Sequence, residues 1–130
     1  KSVLSGVPKA LPAVVKATRL QEKAKQVGFE WDDKEGAMEK IKEEIGEFEA
    51  EVAKGDQEHM QAEFGDLLFS MINYARYLNI DAEAALEQTN RKFKTRFEKM
   101  ESLAAERALN FAALDLEDKD RLWNEAKKLV

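Results

Sequence analysis

There is no cysteine among the 130 residues, and the single histidine is His59. Disulfides, thiolate nucleophiles, cysteine-ligated zinc or iron–sulfur sites and any site needing two histidines within the chain are thereby excluded. Proline is confined to Pro8 and Pro12, β-branched residues are sparse, and no Asn-Gly or Asp-Gly pair marks a hairpin. A β-rich fold therefore lacks both its material and its turns. No apolar run approaches the roughly 20 residues of a membrane span, and no secretory segment is recognisable. The expectation is a cytoplasmic protein without a membrane partner. The chain opens at Lys1 rather than Met, which predicts a piece of something longer.

A dominant basic surface is also missing. The formal net charge is −5, and its distribution is uneven: residues 1–27 carry six bases and one acid, residues 28–66 four bases and fourteen acids. A nucleic-acid polymer is a poor partner for such a chain. Acid blocks are commonly solvated helix faces, so this one needs a geometric reason before it counts as a site.

What is present is helical periodicity, and the chain reads as all-α. A length of 130 residues is enough to bury about two-thirds of the unfolded surface in a single domain. Pro12 fits the first turn of a helix running through Val15, Leu20, Ala24 and Val27 to a stop at Gly28. Asp32 with Glu35 has the form of a capping pair for a second helix, in which Met38, Ile41, Ile45, Phe48 and Val52 recur at 3-4-3-4 spacing up to Gly55. Asp56 caps a third, with an apolar face of Met60, Phe64, Leu67, Leu68, Met71, Ile72, Ala75 and Leu78. Asp81 opens a fourth carrying Leu86, Phe93, Phe97 and Met100, residues 105–114 read as a loop, and Asp115 opens a short last helix with Trp123, Ala126 and Leu129. Short links between long helices predict an antiparallel bundle of four main helices plus the short one, with apolar stripes left over for a dimer.

Within the acidic block, Glu44 and Glu47 share one helix face and Glu63 and Asp66 another, each at i, i+3. Gly55 lies eight residues from Glu47 and from Glu63, and eleven from Glu44 and from Asp66. At 1.5 Å rise per residue, both pairs fall ~12 and ~16 Å from the turn, so four carboxylates should meet at one level of a helical hairpin. Like charges held that close require protons or cations, and all-oxygen ligands suit Mg²⁺, with Mn²⁺ a substitute. A di-iron site would need Glu-x-x-His, and the residue three before His59 is Asp56 rather than Glu; His59 reads as a solvated helix residue. For a phosphate substrate, Lys92 and Arg96 at i, i+4, in one run with Asn90, present a cationic stripe beside Phe93 and Phe97, or an ordinary basic face paired with Glu98 or Glu101. Lys40 reaches either metal-bound phosphates or Glu44. Trp31 and Trp123 each stack on a base or fill core.

The spacing Glu43-Glu44-x-x-Glu47, then Glu63-x-x-Asp66, resembles the signature of the all-α nucleoside triphosphate pyrophosphohydrolases. The flanks, from Gly6–Ala13 through Val27–Asp32, Gly65–Phe69 and Asn90–Phe97 to Leu122–Lys127, narrow the resemblance to the C-terminal domain of tandem MazG proteins. It covers essentially residues 1–130 as one domain. The resemblance implies Mg²⁺ ligation by Glu44, Glu47, Glu63 and Asp66, triphosphate contacts from Lys92 and Arg96, a nucleotide contact from Trp123, and a substrate-lining segment from Lys40 to Glu44. It also implies a homodimer that hydrolyses nucleoside triphosphates to monophosphate and pyrophosphate, in housekeeping of nucleotide pools. Glu47 or Glu43 is the expected general base. The rival readings are a non-catalytic helical module that binds nucleotide or protein, and a phosphoribosyl-ATP pyrophosphohydrolase.

Overall fold

The computed structural model describes residues 1–130 and contains five α-helices, two short 3-10 turns and no strand. Backbone contacts divide the chain into two compact units, Lys1–Glu83 and Ala84–Val130. No helix is long and apolar enough to cross a membrane.

The first unit holds helices α1 (Ala13–Lys25), α2 (Lys34–Lys54) and α3 (Gln57–Tyr77), preceded by a 3-10 turn at Val3–Gly6. Pro12 sits one position earlier than expected, as the N-cap residue of α1, where its carbonyl accepts the Lys16 N–H at 2.9 Å. The regular part of α1 ends at Lys25. Gly28 then takes φ +82°, its N–H reaching the Lys25 carbonyl at 2.8 Å while the Phe29 N–H reaches Ala24 at 3.1 Å. These paired bonds are a Schellman ending, for which a residue without a Cβ is preferred.

The cap of α2 differs from the sequence expectation. Asp33, not Asp32, is the N-cap residue, and its Oδ1 accepts the Gly36 N–H at 3.0 Å. The capping interaction spans three residues, and Asp33 alone stands at the right distance before the first helical turn. Asp33→Ala should therefore lower stability by about 1 kcal/mol in urea unfolding, with Asp32→Ala close to neutral. At the other end of α2, Gly55 adopts φ +74° and returns its N–H to the Glu51 and Val52 carbonyls. Asp56 follows at once and caps α3 by accepting the His59 N–H at 3.3 Å. So short a link turns the chain back on itself, and α2 and α3 pack as a helical hairpin.

Helix α1 lies on α3. A buried polar tie fixes it there: Gln21 Nε2 donates to the Phe69 carbonyl at 2.9 Å. The linker between α1 and α2 is tied to the far end of α3, where the Tyr77 hydroxyl donates to the Trp31 carbonyl at 2.7 Å and Arg76 meets Glu30 at 3.3 Å. Within this unit, much of the expected buried stripe of the hairpin is uncovered. Ile45, Val52, Phe64, Leu68 and Met71 are all exposed, each between 41 and 48%. Phe48 and Phe64 stay in ring contact at 5.4 Å.

The second unit contains most of α4 (Ala82–Glu106), a 3-10 turn at Phe111–Ala113, and α5 (Leu116–Leu129). Its core joins Met100, Leu103 and Ala104 of α4 to Leu122 and Ala126 of α5, with Phe97, Phe111, Leu114 and Trp123 packed around them. The stretch 105–114 is more ordered than a loop. Phe111 lies edge-on to Phe97 at 5.5 Å, and Arg107 grips both oxygens of Glu125 at 2.8 and 2.7 Å. Leu86, Phe93 and Leu129, expected on buried faces, remain exposed.

Candidate functional site

Across the hairpin, three carboxylate groups come together. Glu44 of α2 and Glu63 and Asp66 of α3 each offer an oxygen, and those oxygens lie within 4.8 Å of one another. Glu44 is buried with its side chain only 7% exposed, Glu63 is half-buried, and Asp66 is exposed. One oxygen of Glu44 is taken: Lys40, one turn earlier, places its Nζ 3.0 Å from Oε1 and 3.5 Å from Glu43 Oε2. Those carboxylates, Glu44 first, hold the Lys40 ammonium in its charged form above the ordinary lysine value.

The remaining oxygens test whether a cation fits. Glu44 Oε2 and Glu63 Oε2 are both buried, and neither has a hydrogen-bond partner. An unpaired buried carboxylate oxygen is costly, and two near each other more so, unless a proton or a cation lies between them. An all-oxygen donor set with no sulfur and no imidazole is the chemistry of a hard divalent ion. The residues present fit one.

Glu47 adjoins this group without an oxygen inside the 4.8 Å cluster. It is exposed, yet its carboxyl is held above the ordinary glutamate value, first by the charge of Glu44 and then by desolvation, with the charges of Glu63 and Glu43 adding to these. Of the four acids expected at one level, three converge and Glu47 borders them from the solvent side. Its raised pKa carries a definite sign. The folded state holds that proton more tightly than the unfolded chain, so the associated stability is complete below the ordinary value of 4.5 and is lost as pH rises through the higher folded value. Melting curves in EDTA should accordingly show stability falling with pH in the window just above 4.5. Glu47→Gln should flatten that fall.

In the second unit, Arg96 is half-buried. Its guanidinium lies 5.8 Å from the Trp123 ring, and its Nε is buried without a partner. Trp123 also meets Phe93 at 5.7 Å and packs on the α4–α5 core. Asn90 and Lys92 are exposed. The ion pair with Glu98 belongs to Lys94, at 2.8 Å, rather than to Lys92 or Arg96. Trp31 is exposed and lies against Gly36. His59 is exposed as expected but not merely solvated, since its Nδ1 is 2.6 Å from Asp56 Oδ2.

The family model that matches residues 33–100 is the MazG nucleotide pyrophosphohydrolase domain. The chain belongs to that family. Over 117 residues it is 48% identical to the nucleoside triphosphate pyrophosphohydrolase/pyrophosphatase MazG of Thermotoga maritima, covering 90% of this chain and 45% of that protein. Over 129 residues it is 39% identical to the nucleoside triphosphate pyrophosphohydrolase of Escherichia coli K12, covering 98% of this chain and 49% of the relative. An uncharacterised Bacillus subtilis protein, YabN, is 49% identical over 128 residues, which are 26% of its length. The chain thus spans about half the length of the first two curated relatives, or less. The MazG match runs from the cap of α2 to Met100 and so contains Glu44, Glu47, Glu63, Asp66, Lys92 and Arg96.

Two buried polar residues of the unit that holds the MazG hairpin were not marked by the sequence pattern. Gln21 pins α1 to α3 one turn beyond Asp66, and Ser70, also buried, returns its hydroxyl to the Leu67 carbonyl at 2.9 Å. Their signal was a polar residue next to a helix's apolar stripe, Gln21 beside Leu20 and Ser70 beside Leu67 and Met71. That pattern shows that a buried bond is needed without showing where it goes.

Proposed function

We propose that residues 1–130 form one MazG-type catalytic domain that hydrolyses nucleoside triphosphates to nucleoside monophosphate and pyrophosphate. The observation that carries this reading is the pair of unpartnered, buried oxygens on Glu44 and Glu63, grouped with Asp66. Glu44, Glu63 and Asp66 would hold Mg²⁺, or Mn²⁺ in its place, with Glu47 at the margin of the site. When bound, the ion neutralises the carboxylates and offsets the negative charge that develops on the phosphates.

The chain's own side chains supply the rest. Lys92 and Arg96 bind phosphate oxygens, Arg96 braced by its contact with Trp123, and Asn90 adds a hydrogen bond from the same helix. Trp123 contacts the nucleotide through what its core packing leaves accessible. Glu47 or Glu43, both exposed, accepts the proton of the attacking water on a carboxylate oxygen. The new bond forms between that water oxygen and phosphorus, and the bridging P–O bond to pyrophosphate breaks. Lys40 lines the substrate side of Glu44. Nucleotide-pool housekeeping in the cytoplasm, where triphosphates are made and consumed, is the corresponding role.

A homodimer accompanies this proposal. The uncovered apolar side chains of the hairpin, Ile45, Phe64, Leu68 and Met71, are more than a stable monomer ordinarily leaves in water. Light scattering on a sizing column should give twice the 14.8 kDa chain mass.

The decisive experiment is a panel of the eight common ribo- and deoxyribonucleoside triphosphates, assayed for pyrophosphate and monophosphate with Mg²⁺, with EDTA and with Glu47→Gln. Mg²⁺-dependent release of both products is expected. Release that survives chelation would overturn the carboxylate–metal mechanism. Binding of nucleotide with no turnover of any of the eight would make the chain a non-catalytic module.

A further inference from the structure

Lys40 is the one basic side chain in an ion pair with the acidic group. Its ammonium meets Glu44 Oε1 at 3.0 Å, while Glu44 contributes to the three-residue group with Glu63 and Asp66. A single buried carboxylate thus serves two positive charges, the lysine already present and the divalent ion that the group fits. Two cations beside one carboxylate repel each other, and a carboxylate already paired with an ammonium is a weaker ligand than an unpaired one. The lysine can yield. Lys40 is 38% exposed on a flexible four-carbon arm, whereas Glu44, at 7%, cannot leave without carrying its charge through the packed face.

We infer that Lys40 and the divalent ion exchange at Glu44. In the metal-free protein the ammonium serves as the internal counter-ion that holds Glu44 in place, and arrival of the ion releases it. This rests on the metal-centre reading proposed above and adds a competition to it. The effect of removing Lys40 then has an unusual sign. A lysine that merely supported the site would weaken metal binding when lost, whereas a lysine that competes with the metal would strengthen it.

Two measurements test this. Mn²⁺ is titrated into nucleotide-free protein at pH 8 and followed by electron paramagnetic resonance, comparing wild type, Lys40→Met and Lys40→Arg. Lys40→Met is expected to bind Mn²⁺ about tenfold more tightly, and Lys40→Arg, which keeps the charge, within about twofold of wild type. On the wild-type protein, so that no variant need fold, the side-chain ammonium signal of Lys40 is followed by ¹⁵N nuclear magnetic resonance. It should be present in EDTA and lost in saturating Mg²⁺. Equal or weaker Mn²⁺ binding by Lys40→Met, or a Lys40 signal that is absent in EDTA or persists with Mg²⁺, overturns the exchange while leaving the metal centre standing. Wild type that binds no Mn²⁺ overturns both.

Discussion

Glu63→Gln should leave a protein that is more stable without metal and about a thousandfold slower at releasing pyrophosphate. The two effects have one cause. Glu63 Oε2 is buried without a partner, as is Glu44 Oε2, and an oxygen of each lies within 4.8 Å of the other's. Replacing one of these carboxylates with an amide removes a like-charge repulsion and supplies an N–H donor for the orphaned neighbour, so the metal-free fold gains. The same change removes a ligand charge from the site that must hold Mg²⁺ against developing phosphate charge. A thousandfold loss corresponds to about 4 kcal/mol of transition-state stabilisation, the size expected when a preorganised electrostatic partner is taken away. Thermal melting in EDTA and pyrophosphate release in Mg²⁺, measured on the same preparation, check both. A lower metal-free melting temperature with full activity would mean that Glu63 is a packing residue.

The second large effect lies in the other unit. Leu122 is 4% exposed between Met100, Leu103 and Ala104 of α4 and its own neighbour Ala126. Leu122→Ala should cost about 3 kcal/mol, the transfer energy of the missing carbons plus that of the cavity they leave. No other apolar side chain of α5 is as buried apart from Ala126, so α5 has little with which to fill the hole. Trp123 follows directly on the chain and touches both Phe93 and Arg96. Loosening α5 should therefore also shift the tryptophan fluorescence and weaken the brace on Arg96. Urea unfolding gives the first number. A midpoint within the error of wild type would mean that α5 contributes little to the core.

Some of this was legible in the residues and some was not, for identifiable reasons. Helix existence was legible because the apolar spacing recurs over many turns, and the meeting of Glu44 with Glu63 and Asp66 followed from rise per residue and one glycine. The cap of α2 was misplaced by one residue, because Asp32 and Asp33 are chemically alike and only the position of the first helical N–H groups separates them. Glu47 adjoins the group and feels the charges of Glu44 and Glu63, while its own oxygens lie outside the 4.8 Å cluster. An i, i+3 spacing fixes which side of a helix a residue shares, but not how far across that side its carboxylate reaches. Leu103, Ala104 and Leu122 went unnamed as core, since nothing in the pattern of α4 or α5 says which turns cross. The exposure of Ile45, Phe64 and Leu68 was hidden for a related reason: periodicity identifies an apolar face but not whether the chain itself covers it.

The link at Gly55 and Asp56 constrains how such a chain can change over generations. A single residue inserted in α3 between the link and Glu63 would swing Glu63 and Asp66 about 100° around the helix, away from Glu44, and one inserted in α2 after Glu44 would do the reverse. Lengthening is harmless to the site only when matched pieces of about two turns are added to both arms together. Insertions and deletions between Glu44 and Asp66 should therefore be rare and come in helical periods, whereas sequence change by substitution on the outer faces is free.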